Sequence, residues 1–179
     1  MTILDVIKAP NPIFKQKAQP VASVNDEIRS IANDMLETMY YEGAVGLGAN
    51  MVGVKEQIIV LDLREDGKEN PYVMINPEII DASNDKVEYE EASLSFPGIS
   101  AKVVRPSKIK VKYLDMEDKE QILDADGFLA RVIMHEVDYL QGIVFLDHLS
   151  KLKKDMLTTK MLKHIKNHPP HVHGAHCNH

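Results

Sequence analysis

A nearly continuous apolar segment lies at residues 127–140 and reads GFLARVIMHEVDYL. Its length suits a helix, and apolar side chains would fall on almost every side of that helix, which is typical of a helix buried inside a domain. His135 and Glu136 begin an H-E-x-x-H metal-binding pattern, but Tyr139 stands where its second His belongs. From this segment alone, a hydrogen-bonded His–Glu pair in the core is the simpler interpretation.

The segments around this helix predict the fold class. Asn25 is a suitable N-cap for an amphipathic helix over residues 25–40, and a second amphipathic helix covers residues 149–166. Asn76-Pro77 predicts a turn. Segments rich in β-branched and aromatic residues lie at 57–63, 72–75, 79–80 and 108–114. Because strands do not alternate with helices, we predict an α+β fold in which antiparallel strands wrap around the buried helix, with N-terminal and C-terminal helices.

Composition limits the classes of function. The length of 179 residues suits one domain, which we place at residues 1–166, followed by a His-rich tail at 167–179. A net charge of −6 argues against a general nucleic-acid binder and a specific DNA partner. No apolar run approaches the roughly 20 residues that span a membrane. The lone Cys177 and the absence of a signal peptide pattern indicate the cytoplasm or an organellar matrix rather than secretion.

The C-terminal tail is a separate candidate for metal binding. Its histidines are two to four residues apart, a spacing that suits nickel, copper or zinc. Other residues interrupt the histidines, which favours a native tail over a cloning sequence. The candidate ligands are His168, His171, His173, His176, Cys177 and His179.

Two further segments carry motifs that are weak on their own. Residues 43–51, GAVGLGANM, are glycine-rich but lack the Gly-Lys-Ser/Thr of a P-loop and do not open a helix after a strand. Residues 90–98, EEASLSFPG, indicate a strand followed by a polar turn. Neither segment predicts a particular chemistry by itself.

Taken in order, the three segments resemble the motifs of the peptide deformylases. That family has G-x-G-L-A-A-x-Q, then E-G-C-L-S, then H-E-x-D-H, and this chain has VGLGANM at 45–51, EASLS at 91–95 and HEVDY at 135–139. The resemblance covers about residues 2–166. It implies removal of the formyl group from the initiator methionine of new proteins. It also implies a divalent metal, usually iron, bound by the Cys and both His of the motifs.

The departures from the family pattern concern the metal site. Ser93 replaces the Cys and Tyr139 replaces the second His, so that only His135 remains of the three ligands that the resemblance implies. Met51 replaces the Gln that stabilises the oxyanion, whereas the general acid–base Glu136 and the oxyanion-binding backbone of Leu94 are kept. A phenol, with a pKa of about 10, loses its proton less readily than a thiol, with a pKa of about 8.5.

These replacements lead to two predictions of function. The first is a non-catalytic or weakly active protein that binds no metal at the family site and binds N-terminal peptides of nascent proteins. The alternative is an active deformylase that holds iron, zinc or nickel through the unusual ligand set Ser93, His135 and Tyr139.

The resemblance also assigns a substrate pocket and a docking helix. The pocket for the methionine side chain would be lined by Val45, Gly46, Phe128, Arg131 and Val132. Arg131 either pairs with a carboxylate or recognises an acidic group of the substrate. Some family members bind the ribosome through a basic C-terminal helix, and residues 151–166 carry a local charge of +5. The candidates are Lys151, Lys153, Lys154, Lys160, Lys163 and Lys166; a solvated helix face is the other interpretation.

Overall fold

The computed structural model of the chain describes residues 1–169. Helix α1, Asp26–Tyr41, begins after Asn25, whose side-chain oxygen accepts a hydrogen bond from the Ile28 N–H. This is the predicted N-cap, and it satisfies one of the N–H groups that a helix start leaves without a partner. The buried face of α1 packs on the first two strands.

Five strands form one antiparallel sheet in the order β1-β2-β3-β6-β7. Their bounds are Gly46–Gly48 for β1, Ile58–Leu61 for β2, Tyr72–Ala82 for β3, Lys108–Leu114 for β6 and Glu120–Asp126 for β7. Strands β4, Lys86–Ser93, and β5, Phe96–Pro106, form a separate antiparallel hairpin. The tip of this hairpin carries the second motif, and the first motif begins at β1.

Helix α2, Gly127–Leu140, carries the third motif and has buried residues on most of its surface. It contacts β1, β2 and β7 of the five-stranded sheet, and its Arg131 donates to backbone carbonyls of both strands of the hairpin, so it lies between the strands as the sequence predicted. Helix α3, Lys151–Asn167, is capped by the Ser150 hydroxyl and packs on β5. The α+β prediction, with a buried motif-bearing helix and two terminal helices, is therefore confirmed.

Two features of the strands differ from the sequence prediction. The turn predicted at Asn76-Pro77 is wrong, because β3 runs through both residues with a break in its register to β6. Asn76 adopts a left-handed φ of 51° there. Its side-chain oxygen accepts a hydrogen bond from the Val21 N–H, and its side-chain nitrogen donates one to the Val21 carbonyl. The strand indicated within residues 90–98 covers only the end of β4, because the rest of β4 is charged and exposed and so shows no alternation of apolar residues.

None of the helices within residues 1–169 is long and apolar enough to cross a membrane.

Candidate functional site

A cavity of about 610 Å³ opens between the glycine-rich segment, the β4–β5 hairpin and α2. The three motifs that are separate in sequence thus meet at one place. All of the predicted site residues of the domain except Tyr139 line the cavity. They are Val45, Gly46, Met51, Ser93, Leu94, Phe128, Arg131, Val132, His135 and Glu136.

The glycines of β1 allow the strand to lie directly on α2. A Cβ atom at Gly46 would come within 2.9 Å of both Glu136 Oε1 and Val132 Cγ1. A Cβ at Gly48 would lie 3.2 Å from the Cβ of Tyr139. Since a side chain at Gly46 would collide with Glu136, the glycine brings the first motif against the third.

A hydrogen bond joins the side chains of Ser93 and Tyr139, which occupy two of the expected metal-ligand positions. Their hydroxyl oxygens are 2.6 Å apart, and the Ser95 N–H donates to Ser93 Oγ at 3.2 Å. The Tyr139 ring is fully buried against Phe14 and Phe96. Burial raises the pKa of the Tyr139 phenol far above its usual value, so the phenol keeps its proton at any physiological pH.

Glu91 organises the polar groups on the opposite side of His135. Its carboxylate accepts hydrogen bonds from Arg105 Nε at 2.6 Å and Arg131 Nη1 at 2.9 Å, and His135 Nδ1 lies 2.8 Å away. Burial alone would raise the pKa of Glu91, but these hydrogen bonds, led by the one from His135, hold it well below its usual value. Burial would lower the pKa of His135, but its hydrogen bond to Glu91 outweighs this effect, so the pKa lies above its usual value.

Arg131 takes the first of its two predicted roles, because its guanidinium pairs with a carboxylate of the protein. Nη1 also donates to the Val103 carbonyl at 2.9 Å, and Nη2 donates to the Val87 carbonyl at 2.7 Å. The side chain is buried and lies under the ring of Tyr89. Since Glu91 and two carbonyls occupy these donors, the structure gives no support to recognition of an acidic substrate group by Arg131.

Glu136 has a different environment from Glu91. Its Oε2 atom is buried, and the Gly48 backbone N–H lies close enough to the carboxyl group to favour its ionised form. Burial raises the pKa of this carboxyl group to about 7, although the neighbouring His135 opposes the rise. A carboxyl group with such a pKa can both accept and donate a proton near neutral pH, which is what general acid–base chemistry requires.

The donor set does not fit the divalent metal that the family resemblance implies. Within the described residues 1–169, no three His, Cys, Asp or Glu side chains are placed to hold a metal ion together. The Ser93 hydroxyl and the Tyr139 phenol would each have to lose a proton to bind a metal tightly, and in the structure they are hydrogen-bonded to each other. His135 is the remaining nitrogen ligand; its Nδ1 bonds Glu91, an arrangement that leaves Nε2 available for a ligand. Structural zinc sites and most iron sites in proteins use thiolate, imidazole or carboxylate ligands.

Met51 lies at the cavity as predicted, but it has no proton to donate. Its sulfur is 3.4 Å from the Gly48 backbone nitrogen and accepts that N–H. A thioether is a weak acceptor only, so Met51 cannot stabilise a negatively charged oxygen as an amide can.

Lys8 and Glu91 line the cavity but were not identified from the sequence as site residues. Lys8 donates to the Leu94 carbonyl at 2.7 Å and thereby ties the N-terminal segment to the hairpin tip. Next to the cavity, Tyr89 lies beside the half-exposed Phe128, with ring centroids 6.4 Å apart. Arg105 bridges Glu91 and Asp138.

The C-terminal helix presents most of its lysines to solvent. Lys154 instead forms an ion pair with Asp147, and the other five predicted lysines are exposed. Of the predicted tail ligands, His168 is the one that the structure describes, and its Nδ1 lies 3.1 Å from the His164 carbonyl oxygen. His171, His173, His176, Cys177 and His179 lie outside the described residues.

Comparison with known proteins assigns the family. The family model described as Polypeptide deformylase matches residues 3–155. A relative from Rickettsia conorii named peptide deformylase-like is 55% identical, covering 97% of this chain and 95% of its own length. The peptide deformylase of Rhizobium meliloti is 43% identical, covering 93% of this chain and 96% of its own. The crystal structure of the Ehrlichia chaffeensis peptide deformylase in complex with actinonin matches with a TM-score of 0.87 at 38% identity, covering 95% of this chain and 100% of that chain. On its sequence, its fold and its relatives, this chain belongs to the peptide deformylase family.

Proposed function

We propose that this chain binds the N-terminal residues of peptides in the deformylase cavity and does so without a metal bound by Ser93, His135 and Tyr139. The observation that carries the proposal is the 2.6 Å hydrogen bond between the Ser93 and Tyr139 hydroxyls. It joins two of the three expected ligand positions to each other. The cavity itself remains open, with the apolar Val45 and Val132 in its wall.

Weak metal binding would follow from the energies involved. A four-ligand structural zinc site contributes roughly 10–16 kcal/mol, and most of that depends on deprotonated sulfur or neutral imidazole ligands. Here one imidazole is available, and the two oxygen ligands are hydrogen-bonded to each other and would have to lose protons to bind a metal tightly. Without a metal, a bound water keeps its high pKa and is a poor nucleophile at neutral pH. The replacement of an oxyanion donor by Met51 would cost a further factor of about 10²–10³ in rate.

An active metal-dependent deformylase is the second candidate function, and the comparisons favour it over an inactive protein. Relatives at about 40% identity that cover more than 90% of this chain are named peptide deformylase. The name of the Rickettsia conorii relative, peptide deformylase-like, is compatible with either function. Glu136, whose pKa is raised to about 7, is also suited to proton transfer in hydrolysis.

Three measurements on the same preparation distinguish the two candidates. They are metal content, formate release from formyl-Met-Ala-Ser, and calorimetric binding of Met-initiated peptides. We expect peptide binding in the presence of a chelator, with formate release at least 10²-fold below that of a matched relative with the complete motifs. One tightly held metal per chain, lost on His135→Ala together with formate release, would establish the second candidate instead.

Two cellular aspects of the proposal follow from its charge and composition. The exposed lysines of α3 would bind ribosomal phosphates, and replacement of Lys160 and Lys163 by Glu should then weaken co-sedimentation with ribosomes. The binding should also weaken as salt rises, which a merely solvated helix face would not show. We place the protein in the cytoplasm or an organellar matrix, where nascent N-terminal peptides are available.

A further inference from the structure

The end of α3 places two histidines, His164 and His168, on one face of the helix. They are four residues apart, and their rings stack with centroids 4.4 Å apart and an interplanar angle of 22°. The His168 Nδ1–H donates to the His164 carbonyl oxygen at 3.1 Å, which leaves the lone pair of Nε2 for a ligand. Metal-binding histidines typically donate their other ring N–H to such an acceptor, and two histidines four residues apart on a helix can share one metal ion.

The tip of the β4–β5 hairpin holds His164 in place. Helix α3 packs on β5, and the half-buried ring of His164 lies against Gly98, which lines the cavity. A Cβ atom at Gly98 would come within 2.4 Å of His164 Cγ and 2.6 Å of its Nδ1, so a glycine is needed for this contact. The three ring atoms nearest to Gly98 are Cγ, Nδ1 and Cδ2, which makes Nε2 the nitrogen of His164 farther from the hairpin.

We infer that His164 and His168 bind one divalent transition-metal ion through their Nε2 atoms, with water in the remaining coordination positions. Imidazole is a good ligand for Cu²⁺, Ni²⁺ and Zn²⁺, and Cu²⁺ binds such sites most tightly. Because His168 is exposed, its ring can turn from the stacked position to bring its Nε2 towards that of His164. This site is separate from the expected ligands Ser93, His135 and Tyr139 and does not depend on the proposed function.

The position of the pair at the end of α3 favours a cation. The helix ends at Asn167, and the carbonyl groups of a last helical turn carry partial negative charge. The exposed Lys163 and Lys166 oppose a cation, but solvent screens exposed charges. With two protein ligands the ion would be held reversibly, and through His164 it would join the end of α3 to the wall of the cavity.

The test is a calorimetric titration of Cu²⁺ into a full-length chain whose later tail ligands are replaced by Ser. The replaced residues are His171, His173, His176, Cys177 and His179. We expect one Cu²⁺ per chain, and binding at least about tenfold weaker after either His164→Ala or His168→Ala, because the second ligand adds to the first within one molecule. Lys163→Ala is the matched control on α3 and should not weaken binding. A chain that binds no Cu²⁺, or binding that both histidine variants retain in full, would overturn the inference.

Nuclear magnetic resonance on the same tail-substituted chain locates the ion. Cu²⁺ is paramagnetic and broadens the signals of nearby nuclei. The amide signal of Gly98, which lies against His164, should broaden when a fraction of an equivalent of Cu²⁺ is added, and His164→Ala should abolish the broadening. The amide of Asp118, between β6 and β7 of the other sheet, is the reference and should stay sharp. A Gly98 signal that stays sharp while Cu²⁺ binds would place the ion elsewhere, and the assignment to His164 would be wrong.

Discussion

Replacing Ser93 by Cys and Tyr139 by His together should create a metal site that neither change creates alone. The double change supplies a thiolate and a second imidazole beside His135, which gives three ligands suited to iron or zinc. It also removes the 2.6 Å hydroxyl pair that joins these two positions in the natural chain. Because the ligands act as a unit, each single variant should hold far less than one metal per chain.

The cost of the change can be worked from the contacts of Tyr139. Its ring packs against Phe14 at 5.8 Å and Phe96 at 6.5 Å between centroids, and a smaller imidazole loses part of this packing. We expect a destabilisation of roughly 1–3 kcal/mol from packing, with about 1 kcal/mol more from the lost hydrogen bond. Free metal at 1,000 times its dissociation constant would restore about 4.1 kcal/mol, so the double variant should recover its stability when metal is added.

The assay is elemental analysis combined with thermal unfolding, with and without a chelator. The double variant should contain about one metal per chain and should unfold at a lower temperature when a chelator is added. The unfolding temperature of the natural chain should not change with the chelator. His135→Ala in the double variant is the control, and it should abolish the metal. A folded double variant without metal would refute the reasoning, because it would mean that Ser93, His135 and Tyr139 do not converge on one metal position.

The remaining predictions concern catalysis, stability and the tail. Adding Met51→Gln to the metal-binding double variant should raise formate release by about 10²–10³, measured on formyl-Met-Ala-Ser, because an amide supplies the missing oxyanion donor. Tyr139→Phe and Ser93→Ala should each cost about 1 kcal/mol of unfolding free energy, and a double-mutant cycle in denaturant should show that the two costs are not additive. Glu91→Gln should cost about 3–5 kcal/mol at pH 7, since it leaves Arg105 and Arg131 buried without their carboxylate. Because the pKa of Glu91 is held below its usual value, its contribution is complete above about pH 4.3 and is lost as the pH falls further, so the Gln variant should have a flatter stability curve in acid. Truncation after Lys166 should abolish binding of nickel or zinc at neutral pH if the tail binds metal, and in the full chain that binding should weaken below about pH 6.5.

The sequence predicted the helices of this fold better than its strands. Helix α2 is apolar on most sides and α1 has a clear N-cap, so both were predicted close to their observed bounds. Strand β4 is charged and mostly exposed, and the sequence indicated only its end. Strand β5 alternates between buried and exposed residues but was not predicted beyond the turn at its start. The register of the two strands is fixed by their pairing with each other, which a local pattern does not reveal.

The sequence also predicted which residues form the candidate site better than it predicted how they contact each other. The convergence of the three motifs could be predicted from the family resemblance. The partners of the residues could not, because the bonds from Glu91 to Arg105 and Arg131 cross 14 and 40 residues of sequence. The burial of Glu136 Oε2 and the Ser93–Tyr139 hydrogen bond also follow from packing, and they became apparent only in the three-dimensional arrangement.

The absence of metal at Ser93, His135 and Tyr139 is tested most directly by the metal content of residues 1–166, purified without the His-rich tail and without added chelator. We predict far less than one equivalent of iron, zinc or nickel, and no change in metal content on His135→Ala. One equivalent of metal that is lost on His135→Ala would contradict it, because the metal would then be held at the position where Ser93 and Tyr139 are bonded to each other.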